Sequence, residues 1–318
     1  MHGLRAAVAR GALAPARGTL DEALGGGPPA VLLPDAHGRC AFFQTDGGNA
    51  CAIHRRLGHD ALPVSCRLFP RVCLLTPRGV SITLSHYCPT AAALLFAGDG
   101  PAAIVEDAPG FPASARYEGL DARVAAPPLL RPGVFLGWEA HARFERHAVA
   151  TLGAPDGASP EEALAGLASE AERLRAWTVH DGAFDDRLDR VLDGAGGTAP
   201  GPPDEELLAE VRSAIPEALR PADPTPHAVD WGPYRPVVRR YLAARAFASW
   251  CAVQGPGLRT AVRALQAALA VLRAEVRAPL DRSGLLEAIR RTDLRLVHLA
   301  SPEALARTLG RCESRPRP

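Results

Sequence analysis

The sequence contains no lysine: all 36 basic residues are arginine. A guanidinium stays protonated, so Schiff-base chemistry and amine general-base catalysis are excluded for this chain. Methionine occurs once, at position 1, and aromatic residues make up only 5% of the sequence. Charge of either sign is not in excess. The formal net charge is +1, without the cation surplus that a general nucleic-acid binder uses to displace phosphate counterions. No run approaches the ~18 apolar residues that a membrane-spanning helix needs, so no membrane span is expected. Several catalytic signatures are missing too: there is no Walker A sequence, no G-x-S-x-G elbow and no H-E-x-x-H. The Gly-rich stretch Glu22-Ala23-Leu24-Gly25-Gly26-Gly27 is no nucleotide fingerprint, because no strand leads into it and prolines follow.

What is present suffices for a folded core. The 318 residues are 47% hydrophobic and 22% charged, which argues against a disordered chain and allows one large domain or two ordinary ones. Residues 1–20 lack a continuous apolar segment of the secretory type, so a cytoplasmic protein with reduced cysteines is expected. Five of the seven cysteines, Cys40, Cys51, Cys66, Cys73 and Cys88, fall close together, whereas Cys251 and Cys312 lie far downstream. The intervals are too long for paired C-x-x-C knuckles, so a metal site here would gather single thiolates from separate turns. Four thiolates suit zinc or an iron–sulfur cluster. The alternative is five ordinary cysteines buried as small hydrophobes.

Around the cysteines the chain is turn-rich. Residues 72–76 and 80–84 form β-rich runs around Pro77-Arg78-Gly79, a pattern that predicts a hairpin with a three-residue turn. An Ala/Leu helix is expected from Pro89. Helical periodicity dominates from Trp138 onward. Trp138, Phe144, Val149 and Leu152 mark one helix, and Ser159-Pro160-Glu161-Glu162 opens another with a capping box. Leu258, Val262, Leu265, Leu269, Leu272 and Val276 repeat at intervals of four and three, which builds one apolar stripe. Ser301-Pro302-Glu303 opens the last helix. Asp185, Asp186 and Asp189 look like a solvated helix face rather than a carboxylate metal site. The expected fold is therefore mainly α, with a small irregular cysteine-rich α+β part containing a short hairpin. Its expected segments are an N-terminal stretch (1–37), a cysteine-cluster domain (38–96), a Pro/Gly-rich connector (97–134) and a helical domain (135–318).

The order Cys40-Ala41-Phe42, Cys51-Ala52-Ile53-His54, Leu62-Pro63 through Cys66-Arg67-Leu68-Phe69-Pro70-Arg71, and Ser81 through Cys88-Pro89 resembles the cysteine-cluster proteins of the zinc- or iron-chelating type. Within that group it is most similar to the flagellin lysine N-methylases. The likeness is specific over residues 38–96 and weaker at 138–152, 238–252 and 295–309. It implies a metal centre, an iron–sulfur cluster or zinc, held by Cys40, Cys51, Cys66 and Cys88. Arg67 and Arg71 would donate hydrogen bonds to cluster sulfur or to an anionic ligand, or else form structural salt bridges. His54 would ligate, support a thiolate, or face solvent. The resemblance further implies methyl transfer to lysines of a flagellin-type protein, with S-adenosylmethionine as donor, although no donor-binding motif is visible. The family opens with a dense C-x-x-C-x-x-C-C type cluster, and no cysteine precedes Cys40 here. Either the start lies further upstream or this member lacks half its ligands. A non-enzymatic, zinc-stabilised interaction module and a degenerate family member remain open as alternatives.

Overall fold

The computed structural model describes residues 7–14, 40–45, 50–98, 100–111, 117–154, 158–194, 197, 201–220, 228–277 and 279–314. The Gly-rich stretch at 22–27 and most of segment 1–37 lie outside these residues. As expected, the protein is mainly helical with a few small sheets, at 58% helix and 9% strand among the described residues. It divides into two units, Met1–Phe69 and Pro70–Pro318. The boundary falls inside the stretch 38–96 that the cysteine pattern groups together.

In the first unit, β1 (Phe43–Gln44) and β2 (Ala50–Cys51) pair antiparallel, with Phe43 opposite Cys51 and Gln44 opposite Ala50. Helix α1 (Ala52–Leu57) follows directly and stops at Gly58, whose φ of +84° an L side chain rarely adopts. A 3₁₀ turn (His59–Ala61) and the short helix α2 (Val64–Leu68) follow. Its described core is small: Ala7, Leu13, Phe42, Ala52 and Ile53.

The second unit begins with the expected hairpin, β3 (Arg71–Thr76) and β4 (Gly79–Leu84). Thr76 pairs with Gly79, so the turn is the two residues Pro77-Arg78 rather than three. The Thr76 hydroxyl secures this tighter turn by accepting from the Arg78 amide (3.2 Å) and donating to the Gly79 carbonyl (3.3 Å). Helix α3 (Pro89–Leu94) follows where expected. The connector region also contributes order: β5 (Leu120–Asp121) adds parallel to β3, and β6 (Leu129–Arg131) pairs with β7 (Val134–Phe135). Ala122 and Leu130 from this segment are buried. A β-carbon on Gly119 would collide with the Cys73 carbonyl oxygen, so only glycine lets β5 approach β3 this closely.

Helices build the remainder: α4 (Trp138–Gly153), α5 (Pro160–Arg175), α6 (Phe184–Leu192), α7 (Asp204–Ala214), α8 (Arg235–Ala246), α9 (Trp250–Gln254), α10 (Leu258–Glu275), α11 (Arg282–Asp293) and α12 (Pro302–Gly310). The α5 capping box is present: Ser159 Oγ accepts from the Glu162 amide (3.1 Å), and Glu162 accepts from the Ser159 amide (2.8 Å). The predicted stripe of α10 is buried, and so are Ala267, Ala268, Ala270 and Val271. A helix apolar on nearly every side belongs in the interior, and α10 is the central helix of this unit. Its arginines are paired outward: Arg259 with Glu172 of α5, Arg263 with Glu206 and Glu210 of α7, and Arg273 with Asp204. The Asp185 and Asp189 carboxylates of α6 are exposed and hold Arg143 of α4, a surface ion-pair role consistent with a solvated face.

Candidate thiol site and a buried histidine–aspartate network

Three of the four sequence-predicted ligands lie in the first unit. Cys40 sits in the turn that enters β1, where the Phe43 amide donates to its carbonyl (2.9 Å). Cross-strand pairing sets Cys51 opposite Phe43 and at the start of α1. Cys66 is carried by α2. All three are free thiols; Cys40 and Cys66 are exposed and Cys51 is half-buried. Desolvation pushes the Cys66 thiol up, the Ser65 side chain opposes this, and Cys40 and Cys51 add slightly to the rise.

The donor set therefore suits a thiophilic ion in chemistry. In geometry it is not closed: among the described residues, no group of three or more His, Cys, Asp or Glu side chains is gathered closely enough to hold a metal ion. His54 is exposed on α1, its ring edge-on to His59 with centroids 6.1 Å apart. Arg67 is half-buried on α2.

The remaining predicted residues belong to the second unit. Arg71 is exposed on β3 and lies over the Phe111 ring at 5.8 Å. Cys73 is buried in the hairpin, where burial raises its thiol, and its carbonyl accepts from Trp250 Nε1 (3.0 Å). Cys251 is enclosed, and burial pushes its thiol up to about 11 despite the opposing charge of Arg245. Such a thiol stays protonated and inert at neutral pH. Cys88 is the N-cap residue of α3 and is half-buried.

The turn that delivers Cys88 is anchored by a network that the cysteine pattern did not foretell. Ser85 and His86 are buried at the end of β4, and Asp293 at the end of α11 is wholly enclosed. One Asp293 oxygen accepts from the His86 amide (2.5 Å) and lies 3.4 Å from His86 Nδ1. The other accepts from the Tyr241 hydroxyl (2.9 Å) and faces Arg245 at 4.0 Å. Burial opposes the Asp293 charge, but Arg245 and the His86 hydrogen bonds prevail and hold the carboxyl below its ordinary value. Burial and the neighbouring Asp293 charge together push the Tyr241 phenol well up.

Immediately after Asp293 the chain forms a π-helical turn (Leu294–Leu299), a geometry that often accompanies functional sites. It carries His298, whose Nε2 lies 2.7 Å from Ser85 Oγ. Ser85 Oγ also accepts from the Tyr87 amide (3.3 Å), and the Tyr87 carbonyl accepts from Arg290 Nε (3.1 Å). The serine is buried and the aspartate is occupied by His86 and Tyr241 rather than by His298, so the arrangement is not a hydrolytic triad. It ties Ser85, His86 and Tyr87, the residues just before Cys88, to α11 and the turn that follows it. The signal in the sequence was an acid in an apolar register: Asp293 follows Leu285 and Ile289 at intervals of four.

Comparison with the models of known families finds no match, and the same holds for the curated proteins and for the solved structures. Among the described residues no helix is long and apolar enough to cross a membrane.

Proposed function

We propose that the chain is a cysteine-cluster metalloprotein in which Cys40, Cys51 and Cys66 bind a thiophilic metal, an iron–sulfur cluster or zinc, as the resemblance of residues 38–96 implies. The observation that carries this reading is the placement of three free thiols on one small unit, Cys40 and Cys51 at the β1–β2 pair and Cys66 on α2, whose described hydrophobic cluster holds five buried residues. A core that small leaves a folding deficit that a structural metal commonly offsets. Binding would draw the sulfurs closer than they now stand and deprotonate them, so metal affinity rises with pH. Cys88, the fourth sulfur of the resemblance, is held by the Ser85–Asp293 network in the other unit.

The same resemblance assigns the protein to lysine N-methylation of a flagellin-type partner, with S-adenosylmethionine as the methyl donor. No described residue is given a catalytic role in that transfer. The test is incubation of anaerobically prepared protein with donor and flagellin, read by the mass of flagellin peptides. The reading requires one-methyl gains on lysine that disappear in Cys51→Ser. A second reading is favoured by the small first core: zinc staples the unit and the protein acts as an interaction module. Zinc without sulfide, together with unmodified flagellin, would select it.

A further inference from the structure

Helix α8 gives way to α9 through Phe247, Ala248 and Ser249. Ala248 has a φ of +54°, a region that an alanine side chain rarely adopts. It is nevertheless buried, packed with Leu74 and Ala122. Backbone in such a conformation persists only when its surroundings hold it there. Two bonds from side chains do so here. The Ala248 amide donates to Glu145 Oε1 of α4 (2.9 Å), and Trp250 Nε1, in the first turn of α9, donates to the Cys73 carbonyl of β3 (3.0 Å). Glu145 forms no ion pair among the described residues. Burial raises its carboxyl to about 7, against the Ala248 amide, Arg78 of the hairpin turn and Arg146 of its own helix. One turn earlier on α4, His141 is buried and lowered to about 4, so it is neutral near pH 7. The other charges on neighbouring elements face elsewhere. Arg78 pairs with Glu139 (2.9 Å), Asp185 and Asp189 of α6 hold Arg143, Glu170 of α5 meets His147 (2.9 Å), and Arg245 of α8 faces Asp293. Cys251 on α9 keeps its proton at neutral pH.

We propose that the Glu145–Ala248 hydrogen bond is a proton-operated latch on the α8–α9 turn, closed while the carboxyl keeps its proton and loosened when the proton leaves. A protonated carboxyl still accepts the amide through its carbonyl oxygen. An ionised one leaves a carboxylate in the closed turn with no cation paired to it, and opening lets water reach the charge. The same movement relieves the backbone of Ala248 and frees Trp250 from β3. A carboxyl whose closed-state value lies above its ordinary 4.5 favours the closed turn at low pH. Opening therefore becomes easier as pH rises towards 7 and levels off above it. No thiolate takes part, so the latch stands or falls independently of the metal-binding reading.

The test is hydrogen exchange at the Ala248 amide and the Trp250 indole of the full-length protein, from about pH 5.5 to about 8.5, divided by the intrinsic rate at each pH. With the carboxyl at about 7 in the closed turn and 4.5 in water, protection of Ala248 should fall roughly thirtyfold over this range. Trp250 should follow it. Leu269, in the middle of α10, should change far less, because only global unfolding exposes it and there His141 opposes Glu145. Glu145→Gln keeps an acceptor without the titration, so its protection should be flat with pH. Arg78→Ala, at the exposed hairpin turn, should carry the response to higher pH, because its cation favours the carboxylate. A fall below about threefold at Ala248 in the parent chain would overturn the latch. So would an equal fall at Leu269, which would make the loss global. The parent's pH response persisting in Glu145→Gln, or staying in place in Arg78→Ala, would overturn the assignment to Glu145.

Discussion

Replacing Asp293 by asparagine keeps the shape of the side chain and removes its charge. The substitution leaves the largely buried Arg245 guanidinium beside a neutral amide instead of a carboxylate 4.0 Å away. At that separation the attraction is about 4 kcal/mol for an effective dielectric constant near 20. An orphaned buried charge characteristically costs ~3–5 kcal/mol. The Tyr241 hydroxyl and the His86 amide, at 2.9 and 2.5 Å, would keep an acceptor but lose the stronger, charged one. For a unit of this size each kcal/mol shifts the midpoint by ~2–4 °C, so D293N should lower the melting temperature by roughly 6–20 °C. Thermal and urea unfolding followed by tryptophan fluorescence would measure it. R245M should also destabilise, since it strands the carboxylate, and the double variant D293N/R245M should recover at least ~2 kcal/mol of the summed loss. The acid side gives an independent check. A carboxyl held below its ordinary value of 3.8 contributes stability above that pH, which is lost as pH falls through the folded value. A cost for D293N under ~1 kcal/mol, or simple additivity of the two single variants, would refute the buried-pair argument.

Three other predictions concern the second unit. Burial raises Glu145 to about 7, against opposing contributions from the Ala248 amide and nearby arginines, while burial and Arg78 lower His141 to about 4. Stability from Glu145 therefore falls as pH rises from 4.5 to 7, whereas stability from His141 falls as pH drops from 6.5 to 4. The two offset one another between these limits, so H141Q should expose a declining stability of about 2 kcal/mol from pH 4.5 to 6.5 in urea titrations. Arg239, buried on α8, donates to the carbonyls of Leu152 (3.0 Å), Thr151 and Ala158. R239M should cost ~2–5 kcal/mol by leaving buried carbonyls unsatisfied, with amide exchange rising first at the end of α4. G119A drives a β-carbon into the Cys73 carbonyl and should detach β5, seen as lost protection at Ala122, whose amide donates to the Leu75 carbonyl (2.8 Å).

The helical half was legible because its signals are local. The Ser159 capping box, the α10 spacing and the Ser301-Pro302 start each act within one or two turns, and each appears where the sequence places it. The strands β5 to β7 were not legible, since segments of two or three residues carry no periodicity. The hairpin turn was misjudged by one residue because Gly79 pairs within the strand rather than bending it. The thiols were visible as a spacing, but sequence order cannot tell that Cys66 and Cys88 belong to different units. Asp293 was missed because it hides in an apolar face. Only the fold reveals that Tyr241, Arg245 and His86, distant in sequence, supply its partners.

The most direct test of the metal-binding reading is the metal and acid-labile sulfide content of anaerobically purified protein, measured beside Cys40→Ser/Cys51→Ser/Cys66→Ser. The reading predicts bound iron with sulfide, or bound zinc, in the parent chain and its loss in the triple variant. A folded parent chain free of metal, or a variant that retains all of it, would contradict the reading.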